Sequence, residues 1–250
     1  MSSVVYFDCE SDCTFRSVGA LGRDESFKRM QATVVCALVV DANECCQVGT
    51  ADKALATAKA FHWWRDVAEP GKGPFDSLFK MFDEAVCIVA YNGLDFDFPL
   101  LRKHYGKGMK ATKRYIEHRA KCHDPFYKLR AATDMWFKLD VLLAYNKLPT
   151  KTGNGLDAIA MWERGDREPL CLYCHHDVQA LLKLTFLPTI DVINIGLLPN
   201  HVHGIVSAVA GIRAVQALVE EEEFVLIEPS SCSSLHEHKY GFQPCAPKVS

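Results

Sequence analysis

The sequence predicts an α/β domain: a mixed sheet, with an antiparallel meander on one side and parallel strands on the other, flanked by helices. Two apolar, β-rich segments, 4–11 and 31–41, follow each other with only a polar stretch between them, as the first strands of a meander do. From residue 75 onward, segments with helical spacing alternate with a short apolar strand, the arrangement that produces parallel pairing. A long helix-like segment at 170–187 carries enough Leu and Val to cover a sheet face. At 250 residues and 49% hydrophobic content the chain can bury a real core, as one large domain or a domain with an appendage.

In chain order, 4–11 reads as a buried strand and 11–30 as a polar loop with a turn of helix. Segment 31–41 is nearly all apolar and reads as a central strand, and 45–50 as a shorter third strand. Segment 51–68 looks helical, with Trp63 and Trp64 as core or interface residues. A Pro/Gly loop at 69–74 precedes a helix at 75–85, whose apolar residues fall at 75, 78, 79 and 82. Segment 86–91 is a strand ended by Asn92-Gly93, and 97–105 a helix that tolerates Pro99 in its first turn. Segments 133–145 and 156–162 also read as helices. Beyond 187, an amphipathic helix is expected over about 205–219, then an acidic run at 220–223 and a Ser/Pro/Cys/His-rich tail.

Composition narrows the function. A net charge of −3 argues against a surface coated with basic patches for wrapping duplex nucleic acid, though not against an enzyme that grips a strand end. No membrane span is expected, because no run of 18 or more apolar residues occurs. The first residues lead straight into a strand without a signal-peptide pattern. Eleven cysteines, several inside apolar runs (Cys36, Cys87, Cys171), fit reduced thiols better than a disulfide framework. An intracellular protein, cytoplasmic or nuclear, is therefore expected. One stretch departs from the acidic balance: residues 102–130 hold ten Lys or Arg against two acids, Glu117 and Asp124, with Tyr105, Tyr115, Phe126 and Tyr127 interleaved. Cations for phosphates and rings for bases suit a single-stranded nucleic-acid groove; a solvated basic loop is the plainer explanation.

The chemistry begins on the first strand. Residues two apart in a strand share a face at roughly 6–7 Å, so Asp8 and Glu10 project together from an otherwise apolar element. Crowded, partly desolvated carboxylates repel, and a divalent cation relieves that cost; hard ions such as Mg²⁺ and Mn²⁺ prefer oxygen ligands. Alternatively the strand runs out into a polar turn and the acids are solvated. Two further acidic points are Tyr91-Asn92-Gly93-Leu94-Asp95-Phe96-Asp97, at a strand-to-helix junction, and Tyr173-Cys174-His175-His176-Asp177 inside a helix, where Tyr173 and Asp177 share a face. Cys171-x-x-Cys174 with the two histidines has no second Cys/His pair at finger spacing and sits in a helical apolar pattern, so it reads as core rather than as a zinc site.

Taken in order, these motifs resemble the DEDD superfamily of 3′–5′ exonucleases on the ribonuclease-H-like fold. Phe7-Asp8-Cys9-Glu10-Ser11 is similar to the family's first motif, Asn92-x-x-x-Phe96-Asp97 followed by Leu101 to its second, and Tyr173-x-x-x-Asp177 to the third motif of the tyrosine branch, DEDDy. The histidine branch would place His where Leu172 stands. The resemblance covers about residues 4–187. It implies two divalent ions, Mg²⁺ or Mn²⁺, held by Asp8, Glu10, Asp97 and Asp177, with Tyr173 orienting the attacking water and nucleoside 5′-monophosphates leaving one at a time. The partner it implies is single-stranded DNA or RNA with a free 3′ end. Asn92 and Phe96 would touch substrate, and Lys110, Lys113 and Arg114 of the basic stretch would guide the strand.

The corresponding domain organisation is an exonuclease domain over 1–187, a helical extension over 188–228 packing on it, and a flexible tail over 229–250. An inactive binding module on the same fold and a ribonuclease-H-like endonuclease are the alternatives. Intact carboxylates weigh against the first, and the Tyr-x-x-x-Asp motif, which an endonuclease would not need, against the second.

Overall fold

The computed structural model describes residues 2–19, 22–45, 51–150, 153, 155–192 and 204–206. Strand β1 (Ser3–Ser11) is followed by α1 (Arg23–Arg29), β2 (Ala32–Asp41), the short helices α2 (Ala42–Cys45) and α3 (Ala51–Thr57), and β3 (Lys59–Trp64). Then come α4 (Asp76–Glu84), β4 (Cys87–Val89), α5 (Asp97–Leu101) prolonged by a 3₁₀ turn at Arg102–Tyr105, α6 (Met109–Ala120), β5 (Cys122–His123) and α7 (Pro125–Thr133). Helices α8 (Leu139–Tyr145), α9 (Gly155–Arg164) and α10 (Arg167–Thr185) precede a small ribbon, β6 (Ile190–Val192) and β7 (Gly204–Val206).

The main sheet has the order β3-β2-β1-β4-β5. Strands β1, β2 and β3 form an antiparallel meander, while β4 runs parallel to β1 and β5 parallel to β4. A mixed five-stranded sheet flanked by helices is the α/β architecture expected from the sequence.

Alternation along β1 explains why the sheet is covered on both sides. Val5, Phe7 and Cys9 face one layer, where Phe7 meets Phe82 of α4 at 4.9 Å and Phe98 of α5 at 5.4 Å between ring centroids. Val4 and Tyr6 face the other, against Val178, Leu181 and Leu182 of α10. A strand buried on both faces reads as a continuous apolar run, which is why β1 was legible as a buried strand and β2 as a central one.

The structure differs from the sequence reading in several elements. The helix expected over 51–68 ends at Thr57, and Lys59–Trp64 forms edge strand β3, with Trp63 opposite Val35 and His62 opposite Cys36. The Ala-rich start has helical propensity, but Phe-His-Trp-Trp favours a pleated surface, and pairing it completes the ladder of β2. The third strand expected at 45–50 is not the meander's third strand; Cys45 ends α2, and residues 46–50 lie outside the described residues. The polar stretch before β2 contains a full helix, α1. The helix expected over 133–145 is two helices: Asp134 takes a left-handed conformation (φ 55°) that ends α7, and α8 begins at Leu139. The basic stretch is not a loop but α6, β5 and α7. Ile205 and Val206, expected to begin an amphipathic helix, lie in β7, which pairs with β6; the rest of that helix and the tail lie outside the described residues. Among the described residues, no helix is long and apolar enough to cross a membrane.

Candidate active site

Strand alternation places Asp8 and Glu10 on the α10 side of β1, Glu10 buried and Asp8 half-buried. A break in register between Glu10 and Ser11 bends the strand where the acids leave the sheet, the usual place for a bulge to re-aim a side chain. Thr33 donates its hydroxyl to the Glu10 carbonyl at 3.1 Å and holds this end in place.

Asp97 arrives from the other side. Strand β4 pairs with β1 only as far as Tyr6, and beyond that point the backbone N–H of Cys9 is taken by Oδ1 of Asp97 at 2.8 Å. Asp97 is 2% exposed. Burial pushes its carboxyl up to about 7, with the Cys9 N–H holding it back.

The turn that delivers Asp97 is tightly specified. Asn92 is left-handed at φ 60°, and its carbonyl accepts the N–H groups of Asp95 and Phe96. A Cβ at Gly93 would stand 2.3 Å from Cβ of Ala90, so only glycine fits there. Asp124 clamps the turn: Oδ1 accepts from the Asn92 and Phe126 N–H groups and Oδ2 from that of Leu94, at 2.9–3.1 Å. It is also the N-cap of α7. Burial raises its carboxyl to about 6 against these three bonds. Sequence reasoning passed over Asp124 as one of two acids in a basic run; its partners lie about thirty residues upstream.

Asp8, Glu10, Asn92, Phe96, Asp97 and Tyr173 line a single open cleft of about 420 Å³. Phe15, Met30, Leu156 and Ile159 add apolar walls that no sequence motif announced. Tyr173 is only 5% exposed in α10, and the buried Asp177 follows one turn later on the same face. Cys174, between them, donates its thiol to the Asp8 carbonyl at 3.4 Å. Burial, and then the charges of Asp8, Glu10 and Asp177, push that thiol up to about 12, so these three carboxylates bear on one point. Lys110, Lys113 and Arg114 are not brought to the cleft. They stand on α6, where Arg114 makes a two-pronged ion pair with Asp83 at 2.6 and 2.9 Å and Lys113 pairs with Glu117.

The donor set fits hard divalent cations. One oxygen each from Asp8 and Glu10, with Sγ of Cys174, lie within 4.8 Å of one another. The two carboxylates supply the oxygen donors that Mg²⁺ and Mn²⁺ prefer. Among the described residues, no Lys or Arg lines the cleft.

No family model and no curated relative matches the chain. Among solved structures it is similar to the family B DNA polymerase of the hyperthermophilic archaeon Pyrobaculum calidifontis, with 16% identity and a TM-score of 0.46 over 74% of this chain and 24% of that one. It is similar to exonuclease I at 12% identity and TM-score 0.45, covering 74% of this chain and 40% of that one. A zinc-bound complex of E. coli exonuclease I with single-stranded DNA gives 12% identity and TM-score 0.43, over 75% and 40%. The chain thus spans between 24% and 40% of the length of these structures. What the cleft can do follows from its own residues.

Proposed function

We propose that this protein is a metal-dependent 3′–5′ exonuclease that releases nucleoside 5′-monophosphates from single-stranded DNA or RNA. One observation carries the reading: Asp8, Glu10 and Asp97 line one cleft with Tyr173 beside them, and no Lys or Arg is in its wall among the described residues. A phosphodiester would be repelled from such a cleft unless cations neutralised the carboxylates.

Two divalent ions held by Asp8, Glu10, Asp97 and Asp177 would supply Lewis-acid stabilisation of the charge that develops on the phosphate under attack. The chain's own residues do the rest. Tyr173, fixed by burial in α10, is the phenol in the cleft wall that would orient the attacking water. Oδ1 of Asn92, buried and without a hydrogen-bond partner among the described residues, offers an acceptor to the terminal nucleotide. Phe96, Phe15 and Leu156 give apolar surface against which a base can stack. The narrow supply of cations at the cleft matches an enzyme that holds a strand end rather than a duplex. Lys110 and Lys113 would meet only the strand leading to it.

The test is product analysis. Single-stranded DNA and RNA of one sequence are incubated with Mg²⁺, Mn²⁺ or EDTA. Nucleoside 5′-monophosphates formed only with metal support the reading; nucleoside 3′-monophosphates, or short oligonucleotides alone, contradict it.

A further inference from the structure

Behind the carboxylate cleft, on the same face of the sheet, stands a second cluster of different chemistry. Sγ of Cys36 in β2, Sγ of Cys171 in α10 and a ring nitrogen of His175 in α10 lie within 4.8 Å of one another. The two sulfurs are 4.0 Å apart. Two thiolates on one tetrahedral zinc, each at about 2.3 Å, stand roughly 3.8 Å apart; a disulfide would need about 2.05 Å. Cys171 and His175 are four residues apart on one helical face, the spacing at which a helix can hand two ligands to one ion. Cys174, in between, donates to the Asp8 carbonyl and also meets the Cys36 thiol.

A fourth donor is at hand. His62 of β3 is directly opposite Cys36 in the ladder. Its ring stands 6.2 Å from that of His175, at 89°. Cys36 is buried, Cys171 and His175 are half-buried and His62 is exposed, so an ion has a route in along the sheet edge. The cluster contains no carboxylate, so two thiolates and two neutral imidazoles would leave a divalent ion with no net charge to bury.

We propose that Cys36, Cys171, His175 and His62 form a structural site for Zn²⁺, separate from the oxygen site of the cleft. Binding displaces the two thiol protons and forms two Zn–S and two Zn–N bonds. It pins α10 to β2 and β3 within one turn of Tyr173 and Asp177, and so fixes the face that α10 turns to Asp8 and Glu10. The sequence pattern did not reveal it because the strand cysteine lies 135 residues from its helix partner.

The reduced full-length protein, stripped of metal, is titrated with Co²⁺ and then Zn²⁺. A thiolate-to-cobalt charge-transfer band with strong tetrahedral visible absorption is expected, reaching its limit at one equivalent and erased by Zn²⁺. Cys171→Ser should roughly halve the charge-transfer intensity, two thiolates becoming one. His175→Ala and His62→Ala should keep the band but weaken binding by about tenfold or more. Asp8→Ala should leave all of it unchanged, which separates this site from the proposed nuclease centre. Circular dichroism establishes that each variant is folded; should Cys171→Ser fail that check, the two histidine variants, His62→Ala on the exposed edge strand first, carry the test. A titration without the thiolate band, a band indifferent to both histidine substitutions, or a Cys36–Cys171 disulfide that persists under reduction would overturn the proposal.

Discussion

Asp97 accepts the backbone N–H of Cys9 through Oδ1 at 2.8 Å, a bond between residues 88 apart in sequence that fastens the start of α5 to the acidic end of β1. The same carboxylate is buried, and burial favours its uncharged form. Asp97→Asn keeps an acceptor for Cys9 and removes the buried charge. In EDTA this variant should be as stable as the parent or more stable by about 1–2 kcal/mol, while nuclease activity falls about a hundredfold or more. Asp97→Ala, which leaves the Cys9 N–H without its acceptor, should instead lose about 1–3 kcal/mol. Denaturant unfolding of the pair checks it; equal destabilisation of both would contradict the role given to the bond.

Asp124 serves three backbone N–H groups, two in the turn before Asp97 and one at the start of α7. Its removal exposes all of them at once. Asp124→Ala should cost about 2–4 kcal/mol in urea unfolding. Activity should fall with it, because the turn that aims Asp97 relaxes.

Gly93 leaves no room for a side chain: the added carbon would lie 2.3 Å from Ala90 Cβ and 3.5 Å from Oδ2 of Asp97. Gly93→Ala should cost about 1–3 kcal/mol through overpacking. Adding Ala90→Gly to Gly93→Ala removes the clashing atom and should recover most of the loss despite the flexibility of glycine. Thermal unfolding of the single and double variants decides it.

Much of the site is legible in the sequence itself. Asp8 and Glu10, and the Asn92–Asp97 and Tyr173–Asp177 pairs, are local patterns, separated by two to five residues within one element or one turn. Their chemistry is visible from spacing. Asp124 and Cys36 act on partners that are far away in sequence, so neither announces its role. Strand β3 was missed because an Ala-rich opening, 51–57, gave way to aromatic β-formers without a Pro or Gly between them. The basic stretch was legible only in part. Its local charge suggested a groove, but Arg114 is spent on Asp83, Lys121 on the carbonyls of Phe82 and Asp83, and Arg119 on that of Leu94. These cations fasten α6 to its neighbours.

His123, in β5, is held neutral: burial, then Lys128, lowers its imidazole to about 4. An unfolded histidine titrates near 6.5. The folded value is the lower one, so its contribution to stability is fully present above about 6.5 and is lost as pH falls toward 4. Between pH 7 and 4 the protein should lose about 2 kcal/mol on this account, discounted for partial exposure. His123→Gln should flatten that part of the profile. Urea unfolding across the range, compared between the two proteins, reads the difference directly.

The proposed activity requires the Asp8–Glu10–Asp97–Asp177 constellation to shorten strands from the 3′ end with divalent metal. A 5′-labelled single strand and a circular one of the same sequence, each given Mg²⁺ or Mn²⁺ with the parent protein and with Asp8→Ala, test it most directly. The predicted result is a ladder shortening from the 3′ end of the linear strand, abolished by EDTA and by Asp8→Ala, with the circle untouched. Cleavage of the circle, or shortening that survives in Asp8→Ala, would contradict it.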